Sequence, residues 1–251
     1  MTKLIATTAL AIAMAAGIAT PGLAEKNMTD AERTAFRAEV RAYLMENPEV
    51  LMEAIGVLEE RRNSQAAADD IALLKTNADE ILNDPASWVG GNPDGDITVV
   101  EFMDYRCGYC KKAFDDVAEL ISSDGNIRFV VKELPILGEQ SDLASRFAVA
   151  VLQTEGADAY EKVHNALMKL HGDITPDTLK TVAQENSVQD IAGVMAAMDS
   201  DAVKSVIAAN LALAQRLDVN GTPTFVIDQT LVRGYVPLDG MRQIVAGQRK
   251  G

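Results

Sequence analysis

Residues 99–111 read VVEFMDYRCGYCK, and this stretch decides the fold class. Its first half is rich in β-branched and aromatic residues, which predicts a buried strand. Apolar residues then recur at helical spacing over 108–122, and a second strand is predicted at 127–131. This β–α–β order places Cys107 and Cys110 where a strand gives way to a helix. We therefore expect both cysteines at a helix N-terminus.

The rest of the chain extends this pattern. Residues 90–96 are rich in turn-forming residues and are expected to mark the start of the main domain, which covers 90–251. Residues of about 140–217 read as several consecutive helices, which predicts a helical insertion. The whole order predicts an α/β fold. The remaining predicted elements are a third strand at 224–227, a fourth strand at 231–235 and a closing helix at 238–247.

The chain contains only two cysteines, separated by Gly108 and Tyr109. A disulfide between such close residues would constrain the unfolded chain very little. A helix N-terminus favours a thiolate through its unpaired N–H groups and its dipole. We therefore predict that Cys107 is a solvent-facing nucleophile and that Cys110 is the resolving thiol. Gly108 is expected to let the loop fit closely, and Tyr109 offers an apolar face to a substrate.

The cysteine pair alone also permits a metal site or a plain structural disulfide. Zinc usually needs four ligands, and the only histidines, His164 and His171, lie far along the chain in the predicted insertion. We therefore expect no metal, and no cofactor other than a redox-active Cys107–Cys110 disulfide. Copper protection through Cu(I) on the two thiols is an alternative function, because thiolates are soft ligands.

A second motif, Gly221-Thr222-Pro223-Thr224-Phe225, precedes the third predicted strand. A Thr-Pro peptide bond can be cis, and a cis proline holds its neighbours in an unusual backbone geometry. An ordinary turn before a strand is the alternative. Taken together with the cysteine pair, the motif favours a functional role for Thr222 and Pro223.

Residues 99–111 and 221–224 together resemble the DsbA-like branch of the thioredoxin superfamily. This resemblance implies a thioredoxin-like fold with a helical insertion, and thiol–disulfide interchange as the activity. It also implies that Thr222 and Pro223 face the cysteine pair and bind the backbone of the substrate.

The same resemblance singles out Glu101, six residues before Cys107, and Lys132 on the next strand. Family members carry an acidic residue and a nearby lysine at these positions, so the pair is expected to act as a buried proton relay for Cys110. An inward-facing Glu101 on an otherwise apolar strand agrees with this, because a buried carboxylate needs a partner. A merely structural ion pair is the alternative.

The dipeptide Gly108-Tyr109 departs from the proline and histidine of the strong oxidase in this family and is similar to the pair in periplasmic disulfide isomerases. A positive histidine there would stabilise the thiolate and make the protein a strong oxidant. Its absence predicts a weaker oxidant, and hence an isomerase or reductase. A monomeric DsbA-like dithiol oxidase is the alternative.

The N-terminus carries a targeting pattern. Lys3 is followed by an uncharged apolar run over 4–18 and by small residues before a cut after Ala24. This pattern predicts that 1–24 form a secretory signal peptide. A membrane anchor is the alternative, but the run is shorter than the ~20 apolar residues that a spanning helix needs. We therefore expect a periplasmic protein.

Residues 25–84 read as a helical arm. Its apolar stripe is too narrow for a core of its own, so it is expected to pack on another copy or on its own main domain. Residues 39–51 resemble the oligomerising arm of ScsC-type proteins, relatives of DsbA linked to copper sensitivity. This resemblance implies a homo-oligomer, since some members are trimers that shuffle wrong disulfides.

Charge narrows the choice of partners. The formal net charge of −14 repels phosphate backbones, so nucleic acid is not expected to bind. The family resemblance instead implies unfolded or misoxidised exported proteins as substrates. It also implies a membrane thiol–disulfide protein as electron donor or acceptor.

Overall fold

The structure, a computed structural model, describes residues 28–250. The predicted signal peptide at 1–24 lies outside the described residues. The chain divides into two compact units, with the division after Glu59. Within residues 28–250, no helix combines the length and the apolar character that a membrane span requires.

The first unit contains helix α1 (Asp30–Glu46) and the beginning of helix α2 (Glu49–Thr76). Thr29 begins α1 through a capping box, in which its hydroxyl accepts from the Glu32 amide and the Glu32 carboxylate accepts from the Thr29 amide. No residue of α1 is buried. This helix therefore contributes no core of its own.

The second unit carries a five-stranded sheet with the order β1-β3-β2-β4-β5, in which β2 and β3 are parallel and the other pairs are antiparallel. This arrangement confirms the predicted α/β class. The elements after α2 are α3 (Ala78–Leu82), β1 (Trp88–Gly91), β2 (Ile97–Met103), α4 (Gly108–Asp124), β3 (Ile127–Glu133), α5 (Glu139–Glu155), α6 (Ala157–Lys169), α7 (Pro176–Glu185), α8 (Ile191–Ala197), α9 (Asp201–Arg216), β4 (Thr224–Ile227), β5 (Thr230–Arg233) and α10 (Leu238–Gln248).

Core residues cover both faces of the sheet. Along β2, alternate side chains point to opposite faces, so Val99 and Met103 join one cluster while Val100 and Phe102 join the other. The larger cluster includes α4 and the helical insertion, and the smaller one includes the end of α9. The junction between β2 and α4 therefore lies at the end of a strand whose two faces are both packed against core residues.

The sequence-based boundary at residue 90 is wrong, because Trp88–Gly91 is a strand that pairs with β3. Its two glycines are typical of a turn, but the Trp88 ring lies against Gly90. A Cβ added at Gly90 would approach the ring to 2.1 Å, so only glycine fits there. Main-chain pairing and one buried tryptophan form this strand, without the alternating pattern that sequence analysis detects.

The predicted arm of 25–84 is also too long. Leu74 and Ile81 are buried with Val100 of the central strand, in the smaller core cluster. The second half of α2 and the whole of α3 thus belong to the second unit, which begins at Glu60. Their apolar stripe is narrow because it covers one face of the sheet and does not form a separate core.

Candidate active site

The cysteine pair lies where the sequence places it. Cys107 is the N-cap of α4, and its amide donates to the Asp104 carbonyl at 3.0 Å. The buried Asp104 carboxylate accepts from the amides of Arg106, Ile136 and Leu137 at 2.7, 2.9 and 3.1 Å. This carboxylate ties the loop before Cys107 to the loop after β3.

The Thr222–Pro223 peptide bond is cis, and its loop faces the cysteines. The Cys107 Sγ lies 3.1 Å from the Thr222 carbonyl oxygen. Cys107 is 7% exposed and Cys110 is fully buried. Cys107 is thus the more accessible of the two cysteines, although most of its surface is covered by its surroundings, which include Thr222.

The two thiols differ strongly in acidity. A hydrogen bond from the Cys110 thiol, assisted by the Thr222 side chain and by the amides of Cys110 and Tyr109, lowers the pKa of Cys107 to about 5 against the effect of burial. That same hydrogen bond raises the pKa of Cys110 far above its usual value, and burial and the charge of Glu101 raise it further. Cys107 is therefore the thiolate at neutral pH, and Cys110 stays protonated.

Glu101 is 3% exposed, and among the described residues its Oε1 has no hydrogen-bond partner. Burial raises the pKa of Glu101 to about 8, and the charges of Cys107 and Glu133 add to the shift. Glu101 also acts on Cys110 through its charge. A carboxyl group that titrates near neutral pH and acts on the buried thiol through its charge can hold or release a proton near it.

The expected pairing of Glu101 with Lys132 is wrong. In the parallel register Glu101 lies beside Val131, whereas Lys132 lies beside Phe102. Because side chains alternate along a strand, the two point to opposite faces of the sheet. The Lys132 ammonium instead donates to the Asp84 carboxylate at 2.6 Å and to the Glu80 carbonyl at 2.8 Å.

A second buried carboxyl, Glu133 at the end of β3, was missed by the sequence analysis. It accepts hydrogen bonds from the hydroxyls of Tyr105, Tyr160 and Ser145 at 2.8, 2.6 and 2.8 Å. Burial raises the pKa of Glu133 to about 7, although these three donors oppose the shift. An acidic residue that ends an apolar strand was the only signal for it in the sequence.

His164 belongs to this buried cluster, since its Nδ1 lies 3.1 Å from the Tyr105 hydroxyl and its ring stacks on Trp88 and Tyr160. Burial lowers the pKa of His164 to about 4, so the ring is neutral. Over residues 28–250, no group of three or more His, Cys, Asp or Glu side chains is placed to hold a metal ion.

The dipeptide between the cysteines is open. Tyr109 is 63% exposed, and its ring stacks on Tyr235 with 6.5 Å between the centroids. The expectation that Gly108 is needed for a close fit is wrong, because a Cβ added there would meet no atom within 4 Å. An approaching polypeptide would therefore find free space over Gly108 and an aromatic face on Tyr109.

Two family models match the chain. The DSBA-like thioredoxin domain covers residues 98–246, and the copper resistance protein ScsC N-terminal domain covers residues 32–65. The first match spans more than half of the chain and includes both motifs of the site.

Solved structures agree with these matches. A thioredoxin-like oxidoreductase from Silicibacter pomeroyi is 41% identical, with a TM-score of 0.65 over 69% of this chain and 98% of that one. BcfH from Salmonella enterica Typhimurium is 32% identical, with a TM-score of 0.72 over 88% and 97%. Proteus mirabilis ScsC in a transitional conformation is 29% identical, with a TM-score of 0.65 over 88% and 96%. The chain therefore belongs to the DSBA-like thioredoxin family, as a thiol–disulfide oxidoreductase of the DsbA/ScsC type that works through a redox-active cysteine pair.

Proposed function

We propose that this protein isomerises and reduces disulfides in exported proteins, as a periplasmic homo-oligomer. The observation that supports this most strongly is the separation of the two thiol pKa values. Cys107 ionises near pH 5, whereas the pKa of Cys110 lies far above its usual range. In the reduced protein, the first thiol is thus ready to attack a client disulfide, while the second stays protonated as the resolving thiol.

The reaction begins when the Cys107 thiolate attacks one sulfur of a client disulfide. The client S–S bond breaks, a mixed disulfide forms, and the electron pair leaves on the other client sulfur as a thiolate. Another client thiolate can then attack the mixed disulfide, which rearranges the client without net redox change and restores the Cys107 thiolate.

In the reductive branch, Cys110 loses its proton and attacks Cys107. The client leaves with two electrons, and a Cys107–Cys110 disulfide forms. We infer that the ionised form of Glu101 accepts the Cys110 proton, because Glu101 acts on this thiol through its charge and its pKa of about 8 lets it hold or release a proton near neutral pH. A membrane thiol–disulfide donor must then return two electrons to the protein.

The first unit supports self-association. It carries many exposed apolar side chains, and Phe36, for example, is 57% exposed. Helices without buried residues are only marginally stable in water unless they pack against a partner. A second copy of the same arm would cover these side chains. Those on α1 and α2 are Phe36, Val40, Tyr43, Met45, Leu51, Met52, Ile55, Val57 and Leu58.

One experiment tests activity and assembly together. The solution mass and the rate of reactivation of a scrambled multi-disulfide protein are measured for the full chain, for the double variant Leu51→Glu/Ile55→Glu and for the matched control Asn63→Glu. We expect the double variant to become monomeric and to lose isomerase activity while it still reduces a small disulfide. A monomeric wild type, or a wild type that oxidises reduced clients faster than it corrects scrambled ones, would favour the dithiol oxidase.

Export is proposed from the pattern at 1–24 alone. Cell fractionation followed by N-terminal sequencing should find the protein in the periplasm with Glu25 as its first residue. Recovery of the uncleaved chain in the membrane fraction would support the anchor instead.

Cu(I) binding is a second candidate, favoured by the match of 32–65 to a domain of a copper resistance protein. The adjacent sulfurs of Cys107 and Cys110 are soft ligands that suit Cu(I). Titration of the reduced protein with Cu(I) should reach one equivalent and should block alkylation of Cys107 if this function holds. Unimpeded alkylation would exclude it.

A further inference from the structure

Three cationic residues flank the cysteine pair in the sequence, although the chain as a whole carries a net charge of −14. Arg106 precedes Cys107, and Lys111 and Lys112 follow Cys110. We call these three residues the basic rim. Arg106 and Lys112 are exposed, and Lys111 is half-buried.

Neutral groups hold the rim in place. The Arg106 guanidinium donates to the Gly172 carbonyl at 2.8 Å, and the Lys111 ammonium donates to the carbonyl of Leu170. The Lys112 ammonium lies 4.4 Å from the centroid of the Tyr235 ring. The same short segment after α6 thus fixes two of the cations, and the Tyr235 ring fixes the third.

No carboxylate of the described chain forms an ion pair with the basic rim. Other cations of the second unit are paired, for example Arg249 with Asp96 and Asp124. Burial and the charge of Arg106 lower the pKa of Lys111, so these two cations lie close enough to repel each other. Their charge is therefore not compensated within this part of the molecule.

The first carboxylates along α4 are Asp115 and Asp116, which lie one helical turn beyond Lys111 and Lys112. Neither forms an ion pair with the rim, and Asp116 accepts a hydrogen bond from Tyr235 at 2.7 Å. Along the helix, the rim cations are closer to the cysteines than these carboxylates are. A polypeptide that reaches Cys107 therefore has unpaired cations beside it.

We propose that the basic rim binds acidic side chains next to the cysteine of a client polypeptide, so that the protein prefers disulfides in acidic segments. The inference rests on the proposed function and names its client class. Charge complementarity selects this occupant, since a basic segment would be repelled by all three cations. The exposed face of Tyr109 and the free space over Gly108 leave room for the client backbone beside them.

The test uses three peptide disulfides that differ only in the residues on either side of the cysteine, which are Glu, Gln or Lys. The second-order rate constant for reduction of each peptide is measured with the full-length protein at low and at high salt. The variants are the triple Arg106→Gln/Lys111→Gln/Lys112→Gln and the matched control Lys204→Gln, an exposed cation on α9.

We expect the wild type and the control to reduce the Glu peptide about tenfold faster than the Lys peptide at low salt. The ratio should fall toward one in 0.5 M salt and in the triple variant. A general change in thiolate reactivity would alter all three rates equally and leave the ratio intact. A salt-independent ratio in the wild type, or an unchanged ratio in the triple variant, would overturn the inference. Failure to reduce even the Gln peptide would contradict the proposed function itself.

Discussion

The sulfur of Cys107 lies 3.1 Å from the carbonyl oxygen of Thr222, the residue that precedes the cis proline. The two residues are far apart in the sequence, and each belongs to a different motif. Their contact places the sulfur of the first cysteine beside the loop that contains the cis peptide bond. The two motifs therefore form one site.

The acidity of Cys107 can be measured directly. The thiolate absorbance near 240 nm should appear with a midpoint near pH 5, as the lowered pKa of Cys107 requires. Cys110→Ala removes the thiol that donates to Cys107, so the midpoint should move upward. A wild-type midpoint above pH 8 would contradict the thiolate assignment.

Substitution of Cys107 and substitution of Cys110 should affect the activity in different ways. Cys107→Ser should abolish reduction and isomerisation, because no attacking thiolate remains. The Cys110→Ser protein should still attack client disulfides through Cys107, but it should accumulate mixed disulfides with the client. Non-reducing gels and mass spectrometry can detect these adducts. If Cys107→Ser protein still corrected scrambled substrate, the roles assigned here would be wrong.

Glu101 should make the stability of the reduced protein dependent on pH. Its pKa rises from 4.5 to about 8 on folding, so the stability that its protonated form contributes is complete below pH 4.5 and is lost as the pH rises through 8. The difference in unfolding free energy between Glu101→Gln and wild type should therefore grow in favour of the variant by on the order of 3 kcal/mol as the pH rises from 5 to 9. Urea unfolding measures this difference, with the exposed Glu185→Gln as control. A constant difference across this range would refute the shift.

Lys132 provides a contrast to Glu101. It faces the opposite side of the sheet and is paired with Asp84, so Lys132→Met should change the stability of the fold but not the thiolate titration of Cys107. Glu101→Gln, which removes a carboxyl that acts on Cys110, should move that titration. Equal shifts in both variants would restore the Glu101–Lys132 relay that the structure argues against.

The Glu133 cluster should also respond to pH. Tyr160→Phe removes a buried donor and should cost about 1–3 kcal/mol of unfolding free energy. The donor lowers the pKa of Glu133, so its loss raises that pKa further, and the destabilisation should be larger at pH 8 than at pH 5. Thermal unfolding at the two pH values gives the comparison, and the exposed Tyr109→Phe should behave like wild type.

Local sequence patterns predicted much of the fold. The apolar β2 strand and the helix after Cys107 lie close to their predicted positions, and the helices α5 to α9 fill the predicted insertion of about 140–217, because burial imposes a regular spacing on each. Strand β1 did not show such a spacing. It depends on main-chain pairing with β3 and on a tryptophan packed over a glycine, and neither leaves a periodic signal.

By itself, the sequence determined the α/β class, the family and the identity of the cysteine pair, since these depend on short motifs whose chemistry is local. Only the tertiary structure decided which buried groups meet. The register of β2 against β3 separates Glu101 from Lys132, and the folded insertion brings Tyr160 to Glu133. Contacts between distant segments depend on strand register and helix packing, which no local pattern of residues specifies.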